Sequence, residues 1–393
     1  MRLRFLNLLL VVCLAVPPAL TEDRGPIPPT FFGFDIMRHK PEHLPTVPFG
    51  TLRLWDNGNH WKNLNPSPGN FDFHHLDEWL DYARQHHLEV MYTFGHTPPW
   101  ANGTGRDPDP PKNLQSWDDY VKAITTHAKG RIKYYGVWNE PNAENFWHGS
   151  VQGLVTMTQH ARSIIQSVDP EAKIVSPEPA GGKGPTSKAP PFLEQFFAAG
   201  GGSAIDIVGF HGYLRNYPPE TILDTVSAIR ASMARHGIAA LPIFDSEGSW
   251  GKPEECNPPD QTAYLARHYL LHASAGVDRY IWYSYDNEIT GTLWSESGGL
   301  SEAGKAYGEL YNWMVGATLG QPCAASGDTW TCGFNRSNGY WALAVWKASG
   351  NGSYSPDPKY KQFRDLKGNV TPINGPITIG VRPIWLETGS AHP

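Results

Sequence analysis

Short apolar runs recur along residues 29–318, and they alternate with segments whose apolar positions fall at helical spacing. The short runs are rich in β-branched and aromatic residues, which is typical of buried parallel strands. They predict eight strands, at residues 29–36, 50–55, 88–95, 132–138, 173–177, 205–210, 241–244 and 278–283.

The segments between these runs predict helices. Leu76, Leu80 and Ala83 mark one helical face in 73–87, and further helices are predicted at 116–129, 151–168, 191–199, 220–236, 261–275 and 302–319. A strand followed by a helix, repeated eight times, favours an α/β fold of the (β/α)8 TIM barrel type. A doubly wound open sheet remains the alternative. The first strand is followed by no glycine-rich phosphate loop, which counts against a dinucleotide-binding version.

Beyond about residue 320 the helical pattern stops. Runs at 340–346, 362–366, 370–373 and 384–387, separated by Gly and Asn turns, predict short antiparallel strands. We therefore expect a catalytic barrel over 21–320 and a small C-terminal all-β, sandwich-like accessory domain over 321–393. Such a module could bind carbohydrate, but packing against the barrel is the simpler interpretation.

The first twenty residues differ from the rest. Arg2 and Arg4 precede an apolar run at 6–16, and small and polar residues follow it. This pattern predicts a signal peptide over 1–20 and a secreted, extracellular or periplasmic, protein. The alternative is a membrane anchor, but the run is too short to span a bilayer.

The charge and the cysteine content indicate which ligands and cross-links the protein can have. The net charge of the chain is −6, and removing the two leader arginines makes it more negative, so a nucleic-acid partner is not expected. No Cys or His spacing is typical of a metal site, and no cofactor motif occurs. Cys323 and Cys332 are nine residues apart across a predicted turn, so a disulfide is plausible, which leaves Cys256 without a partner.

Two glutamates follow predicted strands directly. Glu140 ends the run Val137-Trp138-Asn139, and Glu247 follows Ile243-Phe244-Asp245-Ser246. Active sites of TIM barrels lie where strands end, and strands four and seven lie on opposite sides of the barrel mouth. Two carboxyls facing each other suit glycosidic cleavage, with one as acid and the other as nucleophile. A single strand-end glutamate is more often part of a surface salt bridge, but two in this arrangement favour catalysis.

Several motifs resemble a known group of enzymes. Trp138-Asn139-Glu140-Pro141-Asn142 resembles the acid/base motif of clan A glycoside hydrolases, and Ser246-Glu247-Gly248 resembles the clan's nucleophile motif. Within the clan the chain is most similar to family 39, which includes β-xylosidases, α-L-iduronidases and bacterial exopolysaccharide hydrolases. Families 5, 30 and 51 stay open. The supporting segments are residues 68–73, 95–100, 141–147 and 210–213.

Candidate substrate-binding residues surround the two acids. By the resemblance, Asn139 hydrogen-bonds the sugar 2-hydroxyl, and Arg53 is expected to favour the ionised form of Glu247 and lower its pKa. Tyr213 is expected to donate to Glu247, His211 to contact sugar, and Trp282 to form an apolar floor under it. The remaining candidates are His96, Trp100, Trp147 and Trp250, each in a predicted loop after a strand.

The expected reaction is cleavage of a glycosidic bond, by resemblance a β-linked one, through double displacement and a covalent glycosyl-enzyme. This mechanism predicts carboxyl groups about 5–5.5 Å apart. Two alternatives remain: a transglycosylase that uses the same residues, and a non-catalytic carbohydrate-binding protein. The sequence leaves open the sugar, endo versus exo action and the oligomeric state.

Overall fold

A computed structural model describes residues 24–38, 44–181, 187–337 and 339–389. Its main sheet is parallel, in the order β5-β4-β3-β2-β1-β8-β7-β6, and bridges from Val175 to Ile207 and from Ala180 to His211 close β5 against β6. The predicted (β/α)8 barrel is therefore confirmed. Its strands are β1 Phe32–Asp35, β2 Thr51–Leu54, β3 Glu89–Thr93, β4 Tyr134–Gly136, β5 Lys173–Val175, β6 Val208–His211, β7 Ile243–Gly248 and β8 Arg279–Trp282.

Helices cover the outside of the barrel, and the seven predicted ones all form, most within two residues of the expected bounds. The last differs: α9 ends at Met314 because Gly316, with φ of +78°, turns the chain. The helices are α1 Trp61–Leu64, α2 His74–Gln85, α3 Pro99–Asn102, α4 Leu114–His127, α5 Val151–Val168, α6 Ala189–Ala198, α7 Ile222–Arg235, α8 Gln261–Ser274 and α9 Glu302–Met314.

Apolar side chains from β3 to β8 fill the barrel. A cluster of Met91, Tyr134, Val175, Ile207, Phe244 and Ile281 is almost completely buried inside it. Because side chains alternate along a strand, the neighbours of these residues point outward and pack beneath the helices. Polar side chains lie at the two ends of this filled interior: Arg279 pairs with Glu89 at the amino ends of the strands, and the candidate site lies at the carboxyl ends.

An all-β module follows α9. Its larger sheet has the order β11-β12-β13-β18-β15-β16, and β14 pairs with β17. The four predicted runs are strands, whereas β11, β12, β14 and β17 were not predicted. The loop from β8 to α9 of the barrel contains β9 Trp294–Ser295 and β10 Gly299–Leu300. The module contains β11 Thr318–Ser326, β12 Thr329–Asn335, β13 Trp341–Lys347, β14 Gly352–Tyr354, β15 Gln362–Arg364, β16 Val370–Pro372, β17 Ile377–Ile379 and β18 Ile384–Glu387.

The module packs firmly against the barrel. The Trp346 indole N–H donates to Glu220 at 2.8 Å, and the buried Arg267 of α8 pairs with the same carboxylate. Residues 262–272 of α8 are all buried, which is unusual for an outer barrel helix. A disulfide joins Cys323 to Cys332, and Cys256 is a buried free thiol.

The predicted leader, residues 1–20, lies outside the described residues. Within the part of the chain that the structure describes, we find no helix with the length and apolarity required to cross a bilayer.

Candidate active site

Glu140 follows β4 by way of an irregular backbone. Asn139 bridges in parallel to Glu178, and the Glu140 N–H donates to the Glu178 carbonyl at 2.8 Å. Glu140 itself has φ of +42°, in the left-handed region that a non-glycine residue seldom adopts. The backbone is thus held in an unusual conformation at this carboxylate, a feature that clusters at functional sites.

Glu247 lies within β7 and is almost completely buried. The Arg53 Nη1 donates to its Oε2 at 2.8 Å, and the Tyr213 hydroxyl donates to its Oε1 at 2.7 Å. Both carboxylate oxygens therefore have a partner. The contact that the sequence predicted for Tyr213 is present.

The two carboxylates face each other across His211. An oxygen of Glu140 lies within 4.8 Å of an oxygen of Glu247. The His211 Nδ1 is 2.9 Å from Glu140 Oε1 and 3.7 Å from Glu247 Oε2. This separation is close to the spacing of about 5–5.5 Å between a nucleophile and an acid/base, and it is shorter than the roughly 6.5–9.5 Å that inverting enzymes need to fit an attacking water beside the sugar.

Arg53 connects the whole base of the site. Its Nη1 donates to Asp35 and Glu247, its Nη2 to Asn139, and its Nε to Glu178 at 3.2 Å, and Nη2 also lies 3.0 Å from Glu178 as an ion pair. The guanidinium thus contacts three carboxylates and an amide oxygen, and the side chain is fully buried. A planar cation with this many acceptors fixes their relative positions.

Burial and charge act in opposite directions on the acids. Burial raises the pKa of Glu247, and His211 and Arg53 oppose that shift without cancelling it. Arg53 thus acts on the pKa of Glu247 in the expected direction, but burial outweighs it, so the net pKa is raised. For Glu178, burial would also raise the pKa, but the nearby Arg53 and His211 hold it below its ordinary value.

His211 is a buried cation. Burial alone would lower its pKa, but the surrounding Glu247, Glu140 and Glu178 carboxylates outweigh burial and raise it to about 10. The imidazolium can then donate to Glu140, while Glu178 lies 3.5 Å from its other nitrogen. This places a proton donor between the two acids.

Glu140, His211 and Glu247 are also the one set of described side chains whose ligand atoms lie close enough to share a metal ion. A cation between them would stand close to the Arg53 guanidinium, which already contacts Glu247. Repulsion between like charges in a buried site disfavours that arrangement. The set is better suited to proton transfer than to metal binding.

The model of the glycosyl hydrolase catalytic core matches residues 89–307, which is more than half of the chain. The chain belongs to this family. The matched segment carries both glutamates, His211 and Tyr213, and it ends within α9.

Individual relatives agree with this assignment. The chain is 25% identical over 246 residues to a beta-xylosidase of Geobacillus stearothermophilus, covering 55% of this chain and 48% of the relative. It is 24% identical over 102 residues to endo-1,4-beta-xylanase B of Thermotoga neapolitana, covering 23% and 29%. The chain thus spans about half or less of the length of these curated relatives.

Solved structures share the fold. A family 39 glycoside hydrolase from Bacteroides cellulosilyticus superposes with a TM-score of 0.72 at 17% identity, covering 86% of this chain and 75% of that one. A family 39 beta-xylosidase from Caulobacter crescentus gives 0.67 at 16% identity, covering 94% and 98%. The family model thereby confirms the predicted resemblance to glycoside hydrolases, and the chain shares the fold of these solved family 39 structures.

Three of the predicted aromatic contacts are not available in this glycosyl hydrolase. Trp282 and Trp250 have no exposed surface, pack edge to face at 4.9 Å, and belong to the core. Trp147 is 6% exposed and packs against Trp138. His211 is also fully buried, so it contacts the two acids instead of a sugar. These four expectations of direct substrate contact are corrected, because the side chains are enclosed by the barrel and its loops.

The other predicted residues lie at the mouth. His96 is partly exposed, has φ of +60°, and stacks on Trp55 at 5.1 Å. Trp100 is partly exposed, and its indole N–H donates to the Asn65 carbonyl. Asn139 lies deeper, at 1% exposure, and its Oδ1 accepts from Arg53 at 2.7 Å, so the expected contact with the sugar 2-hydroxyl is not accessible either.

Four residues of the site were not predicted. Asp35 and Glu178 are fully buried and form ion pairs with Arg53. Asp56 and Tyr283 form a hydrogen-bonded pair at the cleft. Each of the four follows or ends a strand, so the strand-end rule that found Glu140 could have found them. Gly136 is a second sign of Glu178, because a Cβ at position 136 would lie 1.9 Å from the Glu178 carboxylate, and only glycine leaves room for it.

Proposed function

We propose that this protein is an O-glycosyl hydrolase that cleaves β-glycosidic bonds with retention of configuration. The observation that carries the proposal is the short distance between the Glu140 and Glu247 carboxylates, at most 4.8 Å between their facing oxygens. Membership in the glycosyl hydrolase catalytic core family supports it. The related beta-xylosidase and xylanase make β-xylosides the first substrates to test.

In the first step Glu247 attacks the anomeric carbon, and the bond to the leaving oxygen breaks as Glu140 transfers its proton to that oxygen. Arg53 and Tyr213 hold the Glu247 carboxylate so that it presents an oxygen to the sugar. Asn139 accepts a hydrogen bond from Arg53 and so helps to fix the guanidinium that supports Glu247. The product of this step is a glycosyl ester of Glu247 and a free alcohol.

In the second step water attacks the same carbon, Glu140 accepts a proton from that water, and the ester bond to Glu247 breaks. Two inversions give net retention. His211 donates to Glu140 and can stabilise its carboxylate between the two steps. No cofactor enters either step.

We further propose that the protein acts outside the cytoplasm. The Cys323–Cys332 disulfide supports this, since such bonds persist in oxidising compartments. The apolar leader predicted from residues 1–20 is consistent with it.

The test is mechanism-based labelling. A 2,4-dinitrophenyl 2-deoxy-2-fluoro-β-xyloside should release dinitrophenolate once per protein chain and leave a sugar attached to the peptide containing Glu247, as read by mass spectrometry. Glu247→Gln should not be labelled. Proton NMR of an ordinary aryl xyloside reaction should show the β anomer of the released sugar first. An initial α anomer, or a label on another residue, would reject the retaining assignment.

A further inference from the structure

Asp56 and Tyr283 form one wall of the cleft beside Glu247. Asp56 follows β2, Tyr283 follows β8, and the tyrosine hydroxyl donates to Asp56 Oδ2. The Tyr283 ring lies 6.5 Å from the ring of Tyr213, which holds Glu247. A sugar whose anomeric carbon is at Glu247 would therefore have its ring substituents near Asp56.

The opposite side of Asp56 offers two polar atoms that are not bonded to each other. Asp56 Oδ1 lies 3.8 Å from His60 Nε2, beyond hydrogen-bond distance, and the Asp56 side chain keeps 26% of its surface exposed. The His60 Nε2 is buried without a hydrogen-bond partner among the described residues. Burial, together with His96 and Lys62, lowers the pKa of His60 to about 3, so the ring is neutral.

A neutral imidazole beside a carboxylate suits neighbouring hydroxyl groups, each of which both donates and accepts. The ring of His60 is also fixed, because it packs against Trp55 at 4.6 Å and against His96 at 4.3 Å. Building on the function proposed above, we infer that Asp56, positioned by Tyr283 and flanked by His60, is a specificity-determining residue that binds hydroxyls of an uncharged sugar and rejects uronic acids.

The charges around this wall explain the rejection. Arg53 is fully buried and already paired with three carboxylates, and Lys62 pairs with Asp107. His211 is fully buried and donates to Glu140. Among the described residues, a sugar carboxylate placed here would meet the Asp56 and Glu247 carboxylates, while the nearby cations Arg53 and Lys62 are already paired with other acids. A desolvated, unpaired charge is strongly disfavoured.

The experiment compares 4-nitrophenyl β-glucoside with 4-nitrophenyl β-glucuronide, which differ only in the carboxylate at C6, and adds 3-deoxy and 4-deoxy glucosides. For the wild type we expect kcat/KM to be at least 100-fold lower on the glucuronide and roughly 10- to 100-fold lower on at least one deoxy glucoside. Asp56→Asn should lose most of the deoxy discrimination, and Tyr283→Phe should lose part of it. The control Glu296→Gln removes a rim charge paired with Arg38 and should retain the wild-type ratios.

Two results would overturn the inference: equal or better cleavage of the glucuronide, or unchanged deoxy discrimination in Asp56→Asn. If the wild type cleaves none of these substrates, calorimetric binding of phenyl 1-thio-β-glucoside and of its glucuronide counterpart decides the question without turnover. Preferential binding of the neutral thioglycoside, reduced in Asp56→Asn, supports the inference even if the proposed reaction fails. Preference for the charged one rejects it.

Discussion

The two carboxylates of the site have different surroundings although each lies at the carboxyl end of a barrel strand. Glu247 has a guanidinium on one oxygen and a tyrosine hydroxyl on the other, and its side chain is 9% exposed. Glu140 is 16% exposed and has one side-chain partner, His211. Its position instead depends on an unusual backbone conformation.

The difference separates the roles of the two acids. A nucleophile needs a fixed, ionised carboxylate, and the partners of Glu247 all donate hydrogen bonds to it. An acid/base must gain and lose a proton within each cycle, so permanent donors on both oxygens would hinder it. The single partner and greater exposure of Glu140 meet this need. The following substitutions test how far the difference extends.

The largest effect is expected at Glu247. Glu247→Ala should reduce kcat on an aryl β-xyloside by about 10⁴-fold or more, because no covalent intermediate can form. Azide should restore turnover and give the α-glycosyl azide, since a small anion then attacks from the vacated side. Product NMR checks this, and a β-azide from this variant would exchange the roles of the two glutamates.

Glu140→Ala should show an effect that depends on the leaving group. Loss of a general acid costs about 10²–10⁴-fold, and the loss falls on bonds whose leaving oxygen needs a proton. We expect a large decrease in kcat/KM on a xylo-oligosaccharide and a small one on 2,4-dinitrophenyl xyloside. Azide should here give the β-azide. Equal losses on both substrates would contradict an acid role.

Arg53→Lys removes the support of Glu247 while keeping a positive charge. The ammonium cannot reach all the acceptors that the guanidinium joins, so we expect about a 10²–10³-fold decrease in kcat with a smaller change in KM. Stability should also decrease, by about 1–3 kcal/mol for each buried acceptor left unpaired. Thermal unfolding and steady-state kinetics separate the two effects. Wild-type kcat in a folded variant would show that the network is only structural.

The smallest effect concerns the partner of Glu140. Because the folded pKa of His211 is raised to about 10, above an ordinary value near 6.5, its contribution to stability is fully present below about pH 6.5. That contribution is lost as pH rises through about 10. The Tm of the wild type should therefore decrease between pH 7 and 10 by a few degrees more than that of His211→Gln. If Tm falls equally with pH in the wild type and in His211→Gln, His211 is not the group that loses its proton in this range.

Much of the site could be predicted because its signals are local. Glu140 and Glu247 each stand directly after a buried strand, and Tyr213 two residues after His211 shares that position. Parallel strands bring their carboxyl ends together at one rim, so the order of strands alone predicts that these side chains meet.

The aromatic wall shows where local signals fail. Trp282 and Tyr283 are adjacent, and either could face the cleft, but a shift of one residue along a strand reverses the side that a side chain occupies. The structure places Trp282 in the core, where its indole N–H donates to the Gly291 carbonyl, and Tyr283 at Asp56. The choice depends on how β8 packs between β7 and β1, which the short run of residues does not encode by itself.

The sequence by itself determined the barrel, the positions of both catalytic candidates and the extent of the alternating pattern, because hydrophobic periodicity and strand-end placement are properties of neighbouring residues. Only the tertiary structure decided that Asp35 and Glu178 pair with the buried Arg53 and that His211 lies between the two glutamates. It also decided that Tyr283, and not Trp282, faces the cleft. These outcomes depend on contacts between residues as many as 194 positions apart. Charge and burial at such contacts arise when the barrel closes, and they set the chemistry of the site.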